Sequence, residues 1–397
     1  MAMMNRRTLL TRALELGGGA AFLAACGSSK STTSTATTTA TSPATTTAAT
    51  ATTTAGSATA AATTTAASTG AAATTVAGTA AASGKDLGSM DLRLSWVKNA
   101  EFAGSYIADN KGYYKANGFS SVNLIAGGAT AVPAEVDVSS GKALVGISAP
   151  DLVASAIGQG GKLTIIGAQY QKNPFCVMSL AKNPITKPED MYGKTFGLQA
   201  ANQAVWDTFV AVSGIDDSKI KKFAAGFDPT PFAQGAADCW FSFVTNEPNT
   251  LKTQGVDTVT FLLADFGYPL VSEVYVVKTD SITSKKDQLK AFLKSEIQGW
   301  HDLFKDPQLG ATLTTGNYGK DLGLDTAEQL LEVKSELQLI FTDDTKKNGL
   351  FTISDALLKE NVDVLGKAGI KITADALFDL SLLKEVYAEN PGLVVTS

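Results

Sequence analysis

The chain has 397 residues, of which 44% are hydrophobic and 18% charged, and its 33 Lys and Arg against 38 Asp and Glu give a net charge of −5. The charge is uneven, because the first 90 residues carry +3 and residues 91–397 carry −8. An acidic body argues against a nucleic-acid groove. The absence of a second long apolar run excludes a multi-span membrane protein.

Residues 1–26 predict an export signal. Arg6, Arg7 and Arg12 form a basic start, and residues 14–25 are a short apolar stretch that ends in Leu-Ala-Ala before Cys26. This ending resembles a bacterial lipobox, which implies a lipid on Cys26 and a protein anchored outside the cytoplasmic membrane. The Arg6-Arg7 pair also resembles a twin-arginine signal, with an ordinary basic start as the alternative.

The next segment, residues 27–86, predicts a disordered tether. Residues 31–80 contain 22 Thr and 18 Ala and no charged or aromatic residue. Such a composition cannot bury enough apolar surface to offset the entropy of ordering.

From residue 91 the sequence alternates strand-like and helix-like segments, which predicts an α/β fold. Predicted strands in the first half are 92–96, 122–125, 143–147 and 163–166, with helices at 102–107, 131–140 and 151–157. A second set has strands at 195–198, 238–244, 258–263 and 274–277 and a helix at 202–213. From residue 285 the pattern is helical: 285–304, 326–341, 353–365 and 380–388. Repeated units of this length predict parallel strands.

These elements predict two lobes. Residues 91–180 and 275–397 form lobe one, which includes the C-terminal helices, and residues 185–270 form lobe two. Two crossing segments, near 176–181 and 272–277, are predicted to form the hinge. Ligands of such folds lie at the carboxyl ends of the strands, where the lobes face each other.

Several stretches of the body then resemble one family. Residues 96–106 (WVKNAEFAGSY), 193–197 (GKTFG) and 263–269 (LADFGYP) occur in the same order as in the SsuA-like alkanesulfonate and thiamine-precursor family of substrate-binding proteins. The resemblance covers 91 to about 305. It implies a periplasmic-binding-protein type II fold that captures a small ligand by lobe closure and delivers it to an ABC permease.

The resemblance also raises an enzymatic alternative, because the family contains thiamine-pyrimidine synthases. Their lysine and histidine align with Ser148 and Leu152, and their cysteine-rich iron motif aligns with 268–272, which holds no cysteine. A Schiff base needs an amine, and iron needs imidazole or soft ligands. We therefore expect neither an enzyme nor a cofactor.

The resemblance favours a flat, nitrogen-rich ligand. The Phe-Ala-Gly of the opening and the Asn246-Glu247 pair are similar to the riboflavin-binding branch, and a thiamine pyrimidine precursor is the second choice. An alkanesulfonate or nitrate is the alternative in the same fold. Arg93 is the only arginine after residue 90, and this scarcity disfavours an anion.

Eight residues are the predicted ligand contacts: Trp96, Phe102, Tyr170, Asn202, Trp240, Asn246, Glu247 and Tyr268. Trp96 and Tyr170 follow predicted strands and are suited to stacking on a ring. Asn246 and Glu247 follow an apolar strand, where a polar pair is suited to hydrogen-bond ring nitrogens. The alternative is a core role for Trp96 and Trp240, a hinge role for Tyr170, and a turn at Asn246.

The remaining reactive residues predict no further chemistry. With His301 the only histidine, a zinc site or a histidine-based triad is disfavoured. Cys176 and Cys239 lie in apolar contexts that favour two buried thiols over a disulfide. We expect a monomer whose partners are the small ligand, the permease and, through Cys26, the membrane, with no nucleic acid.

Overall fold

A computed structural model of the protein describes residues 85–128 and 130–394, apart from the side chain of Ala201. The predicted export signal, Cys26 and nearly all of the predicted tether lie outside the described residues. Within them, no helix is both long and apolar enough to cross a bilayer.

The described strands form two five-stranded mixed sheets. The first, in the order β2-β1-β3-β10-β4, contains β1 (Gly88–Arg93), β2 (Phe119–Ile125), β3 (Val145–Ser148), β4 (Leu163–Tyr170) and β10 (Ser272–Lys278). The second, in the order β7-β6-β8-β5-β9, contains β5 (Phe175–Leu180), β6 (Thr195–Gln199), β7 (Lys221–Ala225), β8 (Cys239–Phe243) and β9 (Thr258–Leu262). We call the first sheet with its helices lobe one and the second lobe two.

Fifteen α-helices lie within the described ranges. Those up to β10 are α1 (Ala103–Asn110), α2 (Tyr113–Ala116), α3 (Ala134–Ser139), α4 (Pro150–Gly158), α5 (Gln203–Ser213), α6 (Thr230–Ala233) and α7 (Glu247–Thr253). Those after β10 are α8 (Ser281–Ser284), α9 (Lys286–Lys305), α10 (Pro307–Leu313), α11 (Thr326–Ile340), α12 (Asp343–Asn348), α13 (Asp355–Lys367), α14 (Ala374–Leu377) and α15 (Ser381–Glu389). Short 3₁₀ turns occur at Ala100–Phe102, Pro188–Met191, Ala200–Asn202, Asp217–Lys219, Leu263–Phe266, Lys320–Leu322 and Pro391–Leu393, and a π turn at Thr314–Tyr318.

The two-lobed α/β architecture is confirmed, but the predicted boundary at residue 180 is wrong. Strand β5 pairs with β8 and β9 of the second sheet, so the chain leaves lobe one at residues 171–174. It returns through residues 263–271, before β10. The predicted hinge segments therefore lie largely inside strands.

The prediction of parallel strands is also wrong for two strands. β10 is antiparallel to both β3 and β4, and β5 is antiparallel to both β8 and β9. Each of these strands follows a crossing between lobes, so it enters its sheet from the opposite edge. The apolar pattern of a buried strand does not encode the direction of its neighbour.

Two large apolar clusters support this arrangement. One packs α1, α9 and α15 on the first sheet around Trp300, and the other extends from lobe one into lobe two around Trp206. A third, smaller cluster surrounds Trp240 in lobe two. Gly197 of β6 makes room for that indole, because a Cβ there would lie 2.3 Å from the Trp240 ring.

The C-terminal helices do not belong to lobe one alone. Helix α11 packs on β4 of lobe one and on α7 of lobe two, and α13 packs on α5 of lobe two. The lobes are therefore held together by helices as well as by the two crossing segments.

Candidate functional site

The edge of the first sheet that faces lobe two is defined by strand register. Strands β1, β3 and β4 end there, and the antiparallel β10 begins there, with Val274 opposite Ser148 and Ser272 opposite Tyr170. Side chains from four strands and the loops that follow them therefore meet at one edge. Ligands of open α/β sheets bind at such an edge.

The facing edge of lobe two is apolar and closed against lobe one. Phe175 and Phe243 begin β5 and end β8, and their rings meet edge to face with centroids 5.1 Å apart. Phe243, Val244 and Leu262 also pack against the apolar cluster of lobe one. The structure is thus a form in which the two lobes are in contact.

Four buried carboxyl groups lie at this edge of lobe one. Glu101 follows the loop after β1, Glu273 is the second residue of β10, and Glu332 and Glu336 are one turn apart on α11. We call these four residues the glutamate cluster. Each is less than 5% exposed, which is unusual for a glutamate.

Hydrogen bonds from the loop after β1 hold three members of the cluster. The Ser95 hydroxyl donates to Glu273 at 2.5 Å and lies 3.3 Å from a Glu101 oxygen. The Asn99 amide donates to Glu332 at 2.6 Å, and the Gln329 amide donates to its other oxygen at 2.7 Å.

The fourth member, Glu336, has no such support. Within the part of the chain that the structure describes, neither of its carboxyl oxygens meets a donor in hydrogen-bond geometry, although the side chain is fully buried. The buried Tyr170 hydroxyl and the Oδ1 atom of Asn99 are also unpartnered. Buried polar atoms are nearly always satisfied in folded proteins, so this concentration indicates a place for a missing partner.

Burial and repulsion between carboxylates favour the neutral forms of Glu332 and Glu336. Burial, followed by the charges of Glu332 and Glu101, raises the pKa of Glu336 well above its ordinary value, and the Tyr170 hydroxyl beside it offsets only part of this rise. Burial also raises the pKa of Glu332. Burial, then the Glu336 charge, raises the pKa of the Tyr170 phenol, so it stays a hydroxyl and a hydrogen-bond donor.

Lobe two contributes one more carboxyl. Glu247 begins α7 and accepts a hydrogen bond from the Phe243 N–H at 2.8 Å. Burial raises the pKa of Glu247 to about 7, and its charge in turn raises that of Glu332. Acidic groups of the two lobes therefore lie near each other beside the apolar contact.

The backbone at Glu273 is held in an uncommon conformation. Its φ of 47° lies in the left-handed region, although it is not a glycine. Such conformations are costly and are concentrated at functional sites, where the surrounding fold enforces them. Here the conformation accompanies the Ser95–Glu273 hydrogen bond.

Hydrogen bonds between α7 and α11 close the cleft beside the glutamate cluster. The Thr250 hydroxyl donates to Glu328 at 2.6 Å, and the Asn249 amide donates to the Ser335 hydroxyl at 3.0 Å. We call these two bonds the latch. They join a helix of lobe two to the helix that carries Glu332 and Glu336.

The structure brings some of the predicted ligand contacts to this edge. Tyr170 lies among the glutamates, Trp96 is half-buried in the loop after β1, and Glu247 approaches from lobe two. Asn246 precedes α7, and Asn202 precedes α5 and donates to Gln199 at 3.1 Å.

The other three predicted contacts lie elsewhere. Phe102 is wholly buried in the apolar cluster of lobe one, and Trp240 packs against Phe232 within lobe two. Tyr268 lies in the returning crossing segment, buried beside α5 and α13. Their positions indicate packing. The sequence does not distinguish packing from ligand contact, because an aromatic residue on a buried strand or turn has the same pattern in both roles.

The members of the glutamate cluster were not among the predicted contacts. The sequence around Glu273 does indicate a buried functional carboxyl, since Glu273 is the only charged residue in the apolar run 270–277. Glu332 and Glu336 had a weaker signal, because acidic residues one turn apart on a helix usually indicate a solvated face.

Arg93, which sequence reasoning weighed as a possible anion ligand, is already engaged. It is 6% exposed, lies 3.4 Å from Asp137, and donates to the Val132 carbonyl at 2.7 Å. Among the described residues, no group of His, Cys, Asp and Glu is arranged to hold a metal ion. Cys176 and Cys239 are separate buried thiols, as predicted.

Two curated proteins are similar to the chain. One is a formylaminopyrimidine-binding protein from Halalkalibacterium halodurans, 23% identical over 57% of this chain and 70% of its own length. The other is the riboflavin-binding protein RibY from Chloroflexus aurantiacus, 25% identical over 56% of this chain. The chain covers 64% of RibY, slightly less than two thirds.

Solved structures are similar in fold. The aliphatic sulphonate-binding protein SsuA from Escherichia coli superposes with a TM-score of 0.51 at 13% identity, covering 73% of this chain and 92% of SsuA. The desulfurization enzyme DSZB superposes with a TM-score of 0.54 at 13% identity, covering 76% of this chain and 99% of the enzyme. The first likeness confirms the periplasmic-binding-protein fold.

Residues 99–309, more than half of the chain, match the NMT1/THI5 like family. This range begins in the loop after β1 and ends in α10, so it contains the strands β2 to β10 but neither β1 nor Glu332 and Glu336. The chain is therefore a member of the NMT1/THI5 like family with a periplasmic-binding-protein fold.

Proposed function

We propose that the protein is an extracytoplasmic solute-binding protein of an ABC importer, and that it captures a small planar nitrogen heterocycle between its lobes. The observation that carries this proposal is the glutamate cluster with its unpartnered polar atoms at the interlobe edge. A riboflavin-like vitamin and a thiamine pyrimidine precursor both present N–H groups to such a site.

The chemistry of the site favours N–H donors over anions. The charged groups that shift the pKa of Glu336 are all carboxylates, and ionised carboxylates repel a sulfonate or nitrate. Arg93 cannot replace them as an anion ligand, because Asp137 and the Val132 carbonyl engage its guanidinium. Carboxyl oxygens instead accept hydrogen bonds from ring and exocyclic N–H groups.

The relatives support the same class of ligand. Their names specify a formylaminopyrimidine and riboflavin, which are flat and rich in nitrogen. Trp96, half-buried at the cleft edge, is suited to stack on such a ring, which contributes about 0.5–1.5 kcal/mol beyond burial of its area.

Capture follows from lobe closure. The ligand enters an open form, contacts the glutamate cluster on lobe one, and is covered when α7 of lobe two reaches α11. The latch, which includes the hydrogen bond from Thr250 to Glu328, stabilises the closed form. The closed form is then presented to the permease. A ligand shifts this equilibrium by its differential affinity for the closed form.

We propose binding rather than catalysis. The Ser148 hydroxyl donates to Glu135, and Leu152 is buried, so the two positions that align with the synthases' lysine and histidine serve packing and hydrogen bonding. The shared fold with a desulfurization enzyme does not supply those groups.

A thermal-shift panel on the full chain tests the ligand class. We expect riboflavin or a formylaminopyrimidine to stabilise the protein, by about 2.7 kcal/mol at a hundredfold excess over Kd. Stabilisation by an alkanesulfonate or nitrate alone refutes the proposal.

A matched pair of variants tests the stacking role. Trp96→Ala is expected to weaken binding of the stabilising ligand, because it removes the ring at the cleft edge. Phe227→Ala removes an exposed aromatic of lobe two, 37% exposed, and serves as the control. Equal affinities of both variants exclude stacking on Trp96.

The anchoring proposal has its own test. With lipid on Cys26, the body is held at the outer face of the cytoplasmic membrane as a monomer beside its permease. Cys26→Ser is expected to release the protein into the soluble fraction of a bacterial host. Retention of the variant on membranes excludes the lipid as the anchor.

A further inference from the structure

We propose, resting on the function proposed above, that Glu336 and Tyr170 are the specificity-determining pair of the cleft, and that Glu336 acts as a neutral carboxylic acid. In this form it pairs with a ring edge that presents an N–H group beside an acceptor atom. The pair lies on α11 of lobe one and at the end of β4, beneath the contact with lobe two.

A second buried glutamate in the same lobe shows what is unusual about Glu336. Glu296 of α9 is equally buried, but it accepts hydrogen bonds from Ser105 at 2.9 Å, Tyr275 at 2.7 Å and Trp300 at 3.2 Å. The Tyr114 hydroxyl donates to it as well. Glu296 is therefore a satisfied structural group.

Glu336 is not satisfied by the fold in this way. Among the described residues, neither of its oxygens nor the Tyr170 hydroxyl has a partner in hydrogen-bond geometry, although that hydroxyl lies close enough to Glu336 to offset part of the rise in its pKa. The two side chains come from different elements, so the fold brings them together by packing α11 on β4. An unsatisfied buried pair is costly, and a ligand that supplies the missing hydrogen bonds recovers that cost.

The charged groups around Glu336 explain why it holds a proton. Glu332 faces it from its own helix, Glu101 from the 3₁₀ turn and Glu273 from β10. Its charge also reaches the phenols of Tyr170 on β4 and Tyr106 on α1. All of these neighbours are acidic or neutral, so a proton neutralises Glu336.

Among the described residues, the other elements packed against α11 supply no compensating cation. Glu247 of α7 acts on Glu332, whereas Lys252 of α7 and Lys334 of α11 are exposed to solvent. Helix α10 carries no titratable side chain, and Tyr318 of the π turn donates to Asp109.

A neutral carboxyl can recognise an edge that an anion cannot offer. Its hydroxyl donates to a ring nitrogen or carbonyl, and its carbonyl oxygen accepts from the adjacent N–H. An aminopyrimidine edge and the imide edge of a flavin both present this pattern. A sulfonate or nitrate has no N–H, so the carbonyl oxygen stays unpaired and the ligand is rejected.

Binding at several pH values tests the pair on the full chain. Glu336→Gln keeps one donor and one acceptor but does not titrate, whereas Glu336→Leu removes both. Isothermal titration calorimetry with riboflavin and with a formylaminopyrimidine at pH 5 to 9 measures Kd for each variant. Glu360→Gln, on an exposed face of α13, is the control for a general loss of charge.

The expected result separates the protonated form from the ionised one. At pH 6 the Gln variant retains affinity within about threefold, and the Leu variant loses about tenfold or more. Wild-type affinity falls as the pH rises, by up to about tenfold per pH unit for each proton that binding requires. Because Glu336→Gln does not titrate at this position, its binding requires about one proton fewer. An equal loss in both variants, or an affinity that rises with pH, overturns the proposal.

A ligand-free measurement keeps the two proposals distinguishable. Urea unfolding of the wild type and of Glu336→Gln is compared between pH 5 and 9. A carboxyl with a raised pKa in the fold stabilises it at low pH, and this stabilisation is lost as the pH rises through the folded-state value. The Gln variant should therefore gain stability relative to the wild type as the pH rises.

The two arms have different consequences. A stability difference that does not change with pH refutes the neutral carboxyl, whatever the ligand. If neither probe binds at any pH, the proposed function and the recognition role of the pair are both refuted, and the unfolding arm still decides the state of Glu336.

Discussion

Replacing Glu247 by Gln is expected to stabilise the protein above neutral pH but not in acid. The fold raises the pKa of this carboxyl from 4.5 to about 7, chiefly by burial. Its stabilising contribution is therefore complete below the unfolded-state value and is lost as the pH rises through about 7. Glutamine does not titrate, so the difference between the two proteins grows with pH.

The size of the effect follows from the shift. A change from 4.5 to about 7 corresponds to about 3 kcal/mol, at about 1.4 kcal/mol for each tenfold change in the acid dissociation constant. Glu247 is partly exposed, and screening by solvent reduces this to about 1–2 kcal/mol. The variant keeps an oxygen that can accept from the Phe243 N–H.

Urea unfolding at pH 4.5, 6, 7 and 8.5 measures the difference directly. We expect nearly equal stabilities at pH 4.5 and a stability advantage for Glu247→Gln at pH 8.5. Glu360→Gln, on an exposed face of α13, should show no such trend. A constant difference across the range refutes the inference that burial favours the neutral form of Glu247.

Two further predictions concern helix packing and lobe closure. Gly104→Ala should lower the free energy of unfolding in urea by about 1–3 kcal/mol, because its Cβ would lie 2.2 Å from the Trp300 ring where α1 crosses α9. Thr250→Val should raise the Kd of the captured ligand about five- to thirtyfold in calorimetry, because the closed form loses the 2.6 Å hydrogen bond to Glu328.

Each of these variants has a matched control. Gly158→Ala places a methyl group in open space at the end of α4, so it should leave the unfolding free energy nearly unchanged. Thr253→Val, on the exposed side of α7, removes a hydroxyl that donates only within its own helix at 2.8 Å. Effects of equal size in variant and control contradict the stated causes.

The sequence was sufficient to predict the order of most elements. Apolar alternation predicted eight of the ten described strands and missed β5 (Phe175–Leu180) and β7 (Lys221–Ala225). The residues of β7 are mostly exposed and form an edge of the second sheet. Such a strand lacks the apolar signal on which the prediction depends.

Strand direction and the lobe boundary required the structure. The run that forms β5 is apolar on both faces, as expected for a buried strand in either lobe. Its membership of lobe two depends on pairing with β8 and β9, which are distant in the sequence. Local pattern carries no information about such partners, so residues 176–181 were assigned to a crossing.

In the candidate site, too, residues with a local sequence signal were predicted and residues that depend on distant contacts were not. Tyr170 and Glu247 were predicted from their positions after strands, which is a local signal. Glu336 was not, because its burial is produced by β4, by the turn at Glu101 and by the helix of lobe two that packs on α11. The sequence of α11 alone is that of a helix with a solvated acidic face.

That acidic face links recognition to closure. Glu328, Glu332, Ser335 and Glu336 are spaced by four, seven and eight residues from the first, so they lie on one side of α11. Glu328 and Ser335 bind α7 of lobe two, and Glu336 presents unpartnered oxygens beside them. A ligand that satisfies Glu336 therefore fixes the helix face on which lobe two closes. Loss of the latch should weaken binding even though Thr250 is not itself proposed to touch the ligand.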